Sequence, residues 1–374
     1  MNLKKLTPLL SIVMTLQAMT TTAQEYRLLI GTYTTGKSEG IYVYDFDPST
    51  GGMVYRNKAT GVENPSYLAV TDDRRQVFAV NESGDGKGAV SAFSYDPGTG
   101  GLQFLNKVPS GGDHPCYVET DRNRRHVFAA NYSGGSLAVF PVRKDGSLAP
   151  ATQIIQHSGS GPDRQRQEKA HVHMTILSPD EKYLVTNDLG TDRVTVYRYD
   201  PAAAAPLKEF SDYQAAPGAG PRHLAFHPAG KTAYLLNELS GDITVLSFSD
   251  GSFTLLQNVS PVKGRSKTDA ADIRISPDGR FLYASYRGEL NELAIYAINE
   301  KDGRVTFAGR QATGGTGPRN FVIDPSGRYL LVAHQRSHDI RVFSRDQATG
   351  ALTPLPEKTV AVDSPVCLLF VKAG

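Results

Sequence analysis

Residues 220–239, GPRHLAFHPAGKTAYLLNEL, and residues 317–336, GPRNFVIDPSGRYLLVAHQR, share one pattern. In each of them an apolar run is followed by a polar turn, HPAG or DPSG, and then by a second apolar run. Short apolar runs separated by such turns are typical of β-hairpins. The pattern begins again at Asn64, His114 and His171, and a weaker copy begins at Asp269. The chain is therefore built from an internal repeat, and this repeat decides the fold.

Each repeat continues beyond its hairpin. A third extended run follows, such as VTVYRYD at residues 194–200, and turn signals then lead to a fourth, less regular run. The residue that ends the second strand recurs about every fifty residues, at Thr32, Asn81, Asn131, Asp188, Asn237, Tyr286 and His334. Four strands in about fifty residues is the size of a β-propeller blade.

The two ends of the chain indicate how the ring closes. No first strand precedes RLLIGT at residues 27–32, whereas SPVCLLFVKAG at residues 364–374 has the pattern of a first strand with no second strand after it. Together the two ends supply one blade, which closes the ring and leaves no open sheet edge. We therefore expect an all-β, seven-bladed β-propeller that forms one domain over residues 25–374, with one blade shared between the termini.

Residues 1–24 have the features of a secretory signal peptide. Lys4 and Lys5 are followed by a short apolar run, and the small residues Thr21 and Ala23 lie where a signal peptidase would cleave. The run is short and interrupted, which disfavours a membrane span. We expect an exported protein, periplasmic or secreted. The alternative is a cytoplasmic protein with chance hydrophobicity at its start.

The charge balance and the cysteines restrict the class of partner. Lys and Arg total 40 against 38 for Asp and Glu, a net charge of +2, which gives no reason to expect nucleic acid or a membrane surface as partner. Cys116 and Cys367 fall in non-adjacent blades, so we expect two buried thiols rather than a disulfide. We expect a monomer or a weak homodimer.

The repeat also predicts which side chains share one face of the ring. Strands one and two of a blade are antiparallel, so the start of the first strand lies beside the end of the second. The residue after the proline-equivalent position is Ser66, Cys116, His173, Arg222, Ala271, Arg319 and Val366 in successive repeats. The residue after the second strand is Tyr33, Glu82, Tyr132, Leu189, Glu238, Arg287 and Gln335. The charged side chains concentrate in blades four to seven, which indicates an anion-binding sector with acid–base chemistry.

An insertion lies in the same sector. Residues 157–171, HSGSGPDRQRQEKAH, lengthen one repeat just before the strand that carries His173. A long polar loop beside a charged cluster is typical of a substrate cover, and a solvated insertion is the equally weighted alternative.

Structural explanations exist for each candidate. His171 and His173 lie two apart on a strand, as a metal pair would, but the spacing fixes no third ligand, so we predict neither a metal nor a cofactor. Either histidine could be a satisfied polar group, the arginines could join neighbouring blades, and Glu238 could be their counter-ion. Several converging arginines nevertheless favour a clamp for a carboxylate or phosphate. Further substrate-binding candidates are His334, His114 and Asn320, together with His171 and Arg319.

The sequence resembles the lactonase family of seven-bladed β-propellers, which includes bacterial 6-phosphogluconolactonase. The resemblance runs from about Leu28 to the C-terminus. It is most specific in ANYSGGSLAVFPV, QEKAHVHMTILSPDEKYL, IRISPDGRFLYASYRG and the two segments quoted first. It implies a histidine, a glutamate and two arginines as active-site groups, which correspond to His173 (or His171), Glu238, Arg222 and Arg287. Family members usually have NRG where this chain has Tyr286-Arg287-Gly288, so the resemblance leaves the direction of Arg287 open.

The resemblance implies hydrolysis of a sugar lactone that carries an anionic group. Glu238 or His173 would act as general base, and the arginines would hold the anion. The expected partner is a small anionic lactone or sugar acid, and the leader favours a lactone met outside the cytoplasm. The alternatives are a lactonising isomerase, as in the related fungal carboxy-cis,cis-muconate cyclase, and a non-catalytic propeller that binds an anionic sugar or a protein.

Overall fold

The computed structural model describes residues 26–260 and 269–374. The predicted leader lies outside these residues. The described chain forms seven antiparallel sheets arranged as the blades of a β-propeller, as the repeat predicted. The first strand of each sheet, here called the inner strand, lines a central channel, and the fourth strand lies outermost.

Blades 1 to 3 are formed by the N-terminal part of the described chain together with its last strand. Blade 1 comprises β1 (Tyr26–Thr32), β2 (Gly40–Asp47), β3 (Gly52–Thr60) and the C-terminal strand β29 (Pro365–Lys372). Blade 2 comprises β4 (Leu68–Val70), β5 (Gln76–Asn81), β6 (Ala89–Asp96) and β7 (Gly101–Pro109). Blade 3 comprises β8 (Pro115–Thr120), β9 (His126–Asn131), β10 (Ser136–Pro141) and β11 (Gln153–Gln156).

The remaining four blades follow in chain order. Blade 4 comprises β12 (Val172–Leu177), β13 (Tyr183–Asp188), β14 (Arg193–Tyr199) and β15 (Leu207–Gln214). Blade 5 comprises β16 (Pro221–Phe226), β17 (Thr232–Asn237), β18 (Ile243–Ser249) and β19 (Ser252–Val259). Blade 6 comprises β20 (Ala270–Ile275), β21 (Phe281–Tyr286), β22 (Glu292–Ile298) and β23 (Val305–Ala312). Blade 7 comprises β24 (Pro318–Ile323), β25 (Tyr329–His334), β26 (Asp339–Arg345) and β27 (Leu352–Pro354), with a 3-10 turn at Pro356–Lys358 and β28 (Val360–Ala361) beside β26.

The core lies between the blades. Second strands such as β17 are buried at every position because neighbouring sheets cover both faces, so they are nearly continuous apolar runs. Outermost strands such as β15 are exposed at alternate positions or more. Cys116 and Cys367 are buried free thiols. Nowhere in the described residues is there a helix long and apolar enough to cross a membrane.

Six of the seven inner strands, all except β4, share one irregularity, a register shift near their first residue. In β16, Pro221 pairs with Asn237 while His223 pairs with Leu236, so Arg222 is an extra residue in the ladder. Such an extra residue is a β-bulge, which bends the strand and redirects a side chain. Corresponding shifts leave Cys116, His173 and Arg319 without ladder partners. Proline suits the position before the bulge because the first residue of a strand does not need its N–H for the ladder.

The ring closes as the sequence predicted. Strand β29 pairs antiparallel with β1, with Leu369 opposite Leu29 and Leu368 opposite Ile30. The side chains of Val366, Cys367 and Leu368 are at most 2% exposed. The two ends of the described chain therefore share one blade and leave no unpaired edge on β1.

Deletion of residues 364–374 should abolish cooperative folding. Each buried apolar side chain of β29 contributes about 1.5–3 kcal/mol, and a whole domain is stable by only about 5–15 kcal/mol. We expect aggregated protein without a cooperative thermal transition in circular dichroism. A matched deletion of only Ala373 and Gly374, which follow β29, should keep the transition. A folded monomer after the larger deletion would contradict this role of β29.

Candidate active site

A buried carboxylate lies at the mouth of the channel, where the inner strands begin. Glu238 directly follows β17, and its side chain is 5% exposed. Its Oε2 accepts a 2.7 Å hydrogen bond from Nε of Arg222, the bulge residue of β16. Nη2 of Arg287, which directly follows β21, lies 3.3 Å from the same oxygen. The bulge of one strand and the ends of two others thus bring these three side chains together.

The insertion contributes a third arginine. Nη2 of Arg166 lies 2.6 Å from Oε1 of Glu238 and 3.3 Å from the hydroxyl of Tyr132. Gln167 anchors this part of the loop, because its buried amide donates to the carbonyl of Leu189 and to Oδ1 of Asp192. Arg166 and Gln167 therefore hold the second half of the insertion against the carboxylate and blade 4, although Arg164, Gln165, Glu168 and Lys169 are exposed.

His173 lies beside this carboxylate. Its Nε2 is 3.9 Å from Oε2 of Glu238, and its Nδ1 is 3.8 Å from Sγ of Cys116. Burial and the charge of Arg222 lower the pKa of His173 well below 6.5, although Glu238 acts in the opposite direction. The imidazole is therefore neutral at physiological pH.

The charge state of Glu238 follows from its neighbours. Burial alone would raise the pKa of Glu238, but the charges of Arg287 and Arg222 hold it well below 4.5. Burial lowers the pKa of Arg287 to about 10, so this guanidinium also stays charged near neutral pH. We call Glu238, Arg166, Arg222, Arg287 and His173 the mouth cluster. It consists of one anion, three cations and one neutral base, and Nη2 of Arg287 also lies 3.1 Å from Oδ1 of Asp269, beside the cluster.

A second polar group faces the mouth from blades 1, 2 and 7. The hydroxyl of Tyr33 donates a 2.8 Å hydrogen bond to Oε2 of Glu82, and Ser66 also bonds to that oxygen. The guanidinium of Arg319 lies 5.6 Å from the centre of the Tyr33 ring. Within the described residues, Arg319 forms no ion pair with a carboxylate, so its charge is available to a ligand.

A small cavity separates the two groups. It is lined by Ser66, Tyr67, Cys116, His173, Arg222, His223, Arg319, Asn320 and Val366. These residues come from six blades, which shows that the bulge positions converge on the channel axis. The row predicted after the proline-equivalent position, here called the rim row, accounts for six of the nine lining residues, and the other three lie one residue further along their strands.

Two other candidate residues lie next to the mouth cluster or deeper in the channel, further along the inner strands. His171 stacks on the Tyr132 ring at 4.5 Å, and its Nε2 lies 3.1 Å from Glu168. Asn320 lines the cavity, but its amide is engaged on both sides, since it donates to Asp272 and accepts from the backbone of Leu368. Both residues therefore support the walls of the mouth.

The remaining two candidates lie outside the cluster. His334 is fully buried, and its Nδ1 is 2.9 Å from Asp339 in the same blade, so a ligand cannot reach it in this structure. His114 is half-buried and lies against Gly84 in the preceding blade. The structure thus places both histidines in packing between or within blades rather than against the cavity.

Sequence reasoning missed three residues that the structure places in or below the cluster. Arg166 lies in the insertion, where no repeat fixes a position. His223 and Asp272 follow the rim row by one residue, where strict alternation would point them away from the channel. A proline followed by two polar residues, as in PRH and PRN, is the one signal in the sequence that could have identified the bulge.

The fold and the mouth define a seven-bladed propeller with an arginine-bound carboxylate at its channel. The family model described as "Lactonase, 7-bladed beta-propeller" matches residues 27–370, and the chain belongs to this family.

Relatives of known name cover nearly the whole chain. A protein of Bacillus subtilis named 6-phosphogluconolactonase is 37% identical over 91% of this chain and 97% of its own length. A protein of Formosa agariphila with the same name is 34% identical over 92% of this chain and 99% of its own length. The solved structure of a periplasmic gluconolactonase from Pseudomonas aeruginosa is 41% identical, with a TM-score of 0.88 over 94% of this chain and 100% of that one.

Proposed function

We propose that this protein hydrolyses a sugar lactone of the aldonolactone class. The observation that carries the proposal is a neutral histidine, His173, next to a carboxylate that three arginines hold at the mouth of a central cavity. The names of the B. subtilis and P. aeruginosa relatives support the same reaction class.

His173 is the better candidate for the general base. Glu238 is surrounded by guanidinium groups and holds protons weakly, whereas the imidazole of His173 is neutral and has a free electron pair. A water molecule can bridge two polar atoms 3.9 Å apart, which is the separation of Nε2 of His173 and Oε2 of Glu238. In this mechanism His173 takes a proton from that water as its oxygen attacks the lactone carbonyl carbon.

The arginines stabilise the anion that forms. Attack converts the carbonyl oxygen into an oxyanion, and donors fixed in a site with little water stabilise such an oxygen strongly. Arg222 and Arg319 both line the cavity and are placed to donate to it. Glu238 keeps the guanidinium groups of the mouth cluster together and stabilises the imidazolium that forms on His173.

Collapse of the tetrahedral intermediate completes the reaction. The bond between the carbonyl carbon and the ring oxygen breaks, and the imidazolium of His173 returns its proton to that oxygen. One water is consumed, and the product is a linear sugar acid. Its carboxyl group releases the second proton of that water to solvent, and the resulting carboxylate remains beside the arginines. The positive charge at the mouth therefore suits the transition state and the product better than an uncharged lactone.

We further propose that the substrate is a lactone found outside the cytoplasm. The support is the signal-like segment at residues 1–24 and the word periplasmic in the name of the P. aeruginosa relative. A phosphate group is then dispensable, and the arginines act on the oxyanion and on the carboxylate of the product.

Purified protein should release acid from glucono-1,5-lactone at a rate above the spontaneous one. Replacement of the proposed base in His173→Gln should lower kcat/KM by about 10²–10⁴-fold, because general base catalysis contributes about that much. A pH-indicator assay of several aldonolactones, with and without a 6-phosphate, measures both effects.

The matched control is His157→Gln. His157 also lies beside a buried carboxylate, with 3.1 Å between its Nδ1 and Oδ2 of Asp188, but it is not part of the mouth. This variant should keep wild-type kcat/KM. A folded wild-type protein that binds gluconate tightly but opens no lactone would reject hydrolysis and favour a binding propeller.

The pH dependence of the reaction should reveal the shifted histidine. A base whose pKa lies well below 6.5 is unprotonated above that pH, and activity is lost only as the pH falls through the lowered value. We expect kcat/KM, corrected for spontaneous hydrolysis, to be flat from pH 6.5 until Arg287 begins to lose its proton near its pKa of about 10, and to fall below pH 6.5. An acidic midpoint at or above pH 6.5 would rule out His173 as the base.

Export predicts a shortened mature chain. Expression of the full sequence in a Gram-negative host should place the protein in the periplasmic fraction, with its N-terminus near residue 25. Intact mass and N-terminal sequencing test this expectation. A Lys4→Glu/Lys5→Glu variant, which removes the positive charge before the apolar run, should reduce export. Full-length protein in the cytoplasm would exclude the signal peptide.

A further inference from the structure

A second histidine–carboxylate pair lies directly below the mouth cluster. Nδ1 of His223 is 2.9 Å from Oδ1 of Asp272, and Nε2 of His223 is 3.2 Å from Nη1 of Arg222. His223 is 4% exposed and Asp272 is 1% exposed. The pair therefore connects the channel interior to one arginine of the mouth.

The hydrogen bonds of Arg222 show what this connection does. Nε donates to Glu238, and Nη1 donates both to the carbonyl of Ala271 and to His223. A guanidinium has five N–H groups in one plane, so these three bonds fix its orientation. The two remaining N–H groups belong to Nη2, and Arg222 lines the cavity with His173 and Arg319. Among the described residues, these bonds leave the two N–H groups of Nη2 without a hydrogen-bond partner and therefore available to a ligand in the cavity.

The protonation of His223 follows from its two partners. Because a guanidinium only donates, Nε2 of His223 accepts, and the ring proton lies on Nδ1, which donates to Asp272. Burial and the neighbouring Arg222 lower the pKa of His223 to about 4, so the ring is neutral near pH 7. Asp272 is held in turn by the amide of Asn320 at 2.7 Å and by Nε of Arg274 at 3.2 Å.

The bulge explains how one strand serves both layers. Arg222 and His223 are consecutive, yet both line the cavity because Arg222 has no partner in the ladder. The rings of Tyr67 and Tyr117 lie within 6.2 Å of His223 on its other side. With His223 and Asp272 they line a second pocket. An apolar residue would fill this space at lower cost than a buried polar pair.

We propose that His223 and Asp272 are positioning residues for the reaction, which hold the guanidinium of Arg222 in the plane that points Nη2 at the oxyanion. The inference rests on the proposed lactone hydrolysis for its catalytic consequence. Its structural part, the control of Arg222, stands on the geometry alone.

Two polar variants separate the two nitrogens of His223. In His223→Gln the longer amide reaches the position of Nε2 and accepts from Arg222, whereas in His223→Asn the shorter amide reaches only Asp272. We expect His223→Asn to lower kcat by about 10- to 100-fold, the usual effect of losing a group that orients a catalytic residue. KM should change less than about threefold, because the oxyanion exists only in the transition state. His223→Gln should restore most of kcat.

His126→Asn is the matched control. His126 is also a buried histidine, and its Nδ1 is 2.9 Å from the hydroxyl of Tyr199, but it lies between blades 3 and 4 and away from the channel. The His126→Asn variant should have a lower melting temperature and an unchanged kcat. If His223 had a purely structural role, His223→Asn would likewise lower the melting temperature and leave kcat unchanged. His223→Gln would then give no gain in kcat over His223→Asn.

Crystal structures of the two His223 variants make the test independent of activity. The guanidinium plane of Arg222 should rotate in His223→Asn and keep its wild-type orientation in His223→Gln. If wild-type protein opens no lactone, the proposed function fails, and a rotated Arg222 still supports the positioning role. An unmoved Arg222 in His223→Asn, or wild-type kcat in that variant, would overturn the inference. If His223→Asn does not fold, His223→Phe removes the same acceptor while keeping an aromatic ring at this position, and the same criteria apply.

Discussion

The β-bulge at the start of the inner strands is the constraint on which the mouth depends. An ordinary strand alternates its side chains, so only every second residue of an inner strand would face the channel. The extra residue in β16 interrupts this alternation, and both Arg222 and His223 reach the same cavity. The same shift in β24 brings Arg319 and Asn320 there. These two strands thus each supply two consecutive polar residues to the cavity, Arg222 or Arg319 first and His223 or Asn320 next to it.

Burying the charges of the mouth cluster costs free energy, which indicates that the cluster has a role beyond stability. Removing a carboxylate and several guanidinium groups from water costs several kcal/mol per ion, and apolar residues of similar volume are often as stable. Glu238 repays this cost by ion pairs to Arg166, Arg222 and Arg287. Seven-fold repetition does not require such a cluster, since other blades have Ser66 or Val366 at the position of Arg222. Asp269 also pairs with Arg287, and the positive charge that remains would suit the proposed reaction, in which the ligand becomes anionic.

The sequence predicted the fold in detail because periodicity determines it. The spacing of the repeats identified seven blades, and the unmatched strands at the two ends identified their closure. The rim rows brought His173, Arg222, Glu238 and Arg287 together, since strand ends on one face of a ring must converge. Arg166 escaped prediction because a loop outside the repeat has no fixed position. Asp272 and His223 were not predicted because the alternation of side chains along a strand is interrupted at a bulge. No single residue in the sequence identifies such a bulge.

The mouth also shows how a symmetric scaffold acquires an asymmetric site. At the bulge positions, blades 4, 5 and 7 carry His173, Arg222 and Arg319, whereas Ser66 and Ala271 are small. Large side chains in all seven blades would fill the channel, so the small residues create the space and the large ones define its chemistry. In the proposed reaction the lactone would lie between the mouth cluster on one side and the Tyr33–Glu82 pair on the other. Because a carboxylate accepts hydrogen bonds from hydroxyl groups, Glu82 is suited to the polyhydroxylated part of a sugar while the arginines face its carbonyl. This division of the rim agrees with a lactone, whose reactive carbonyl and hydroxyl groups lie on different parts of one small ring.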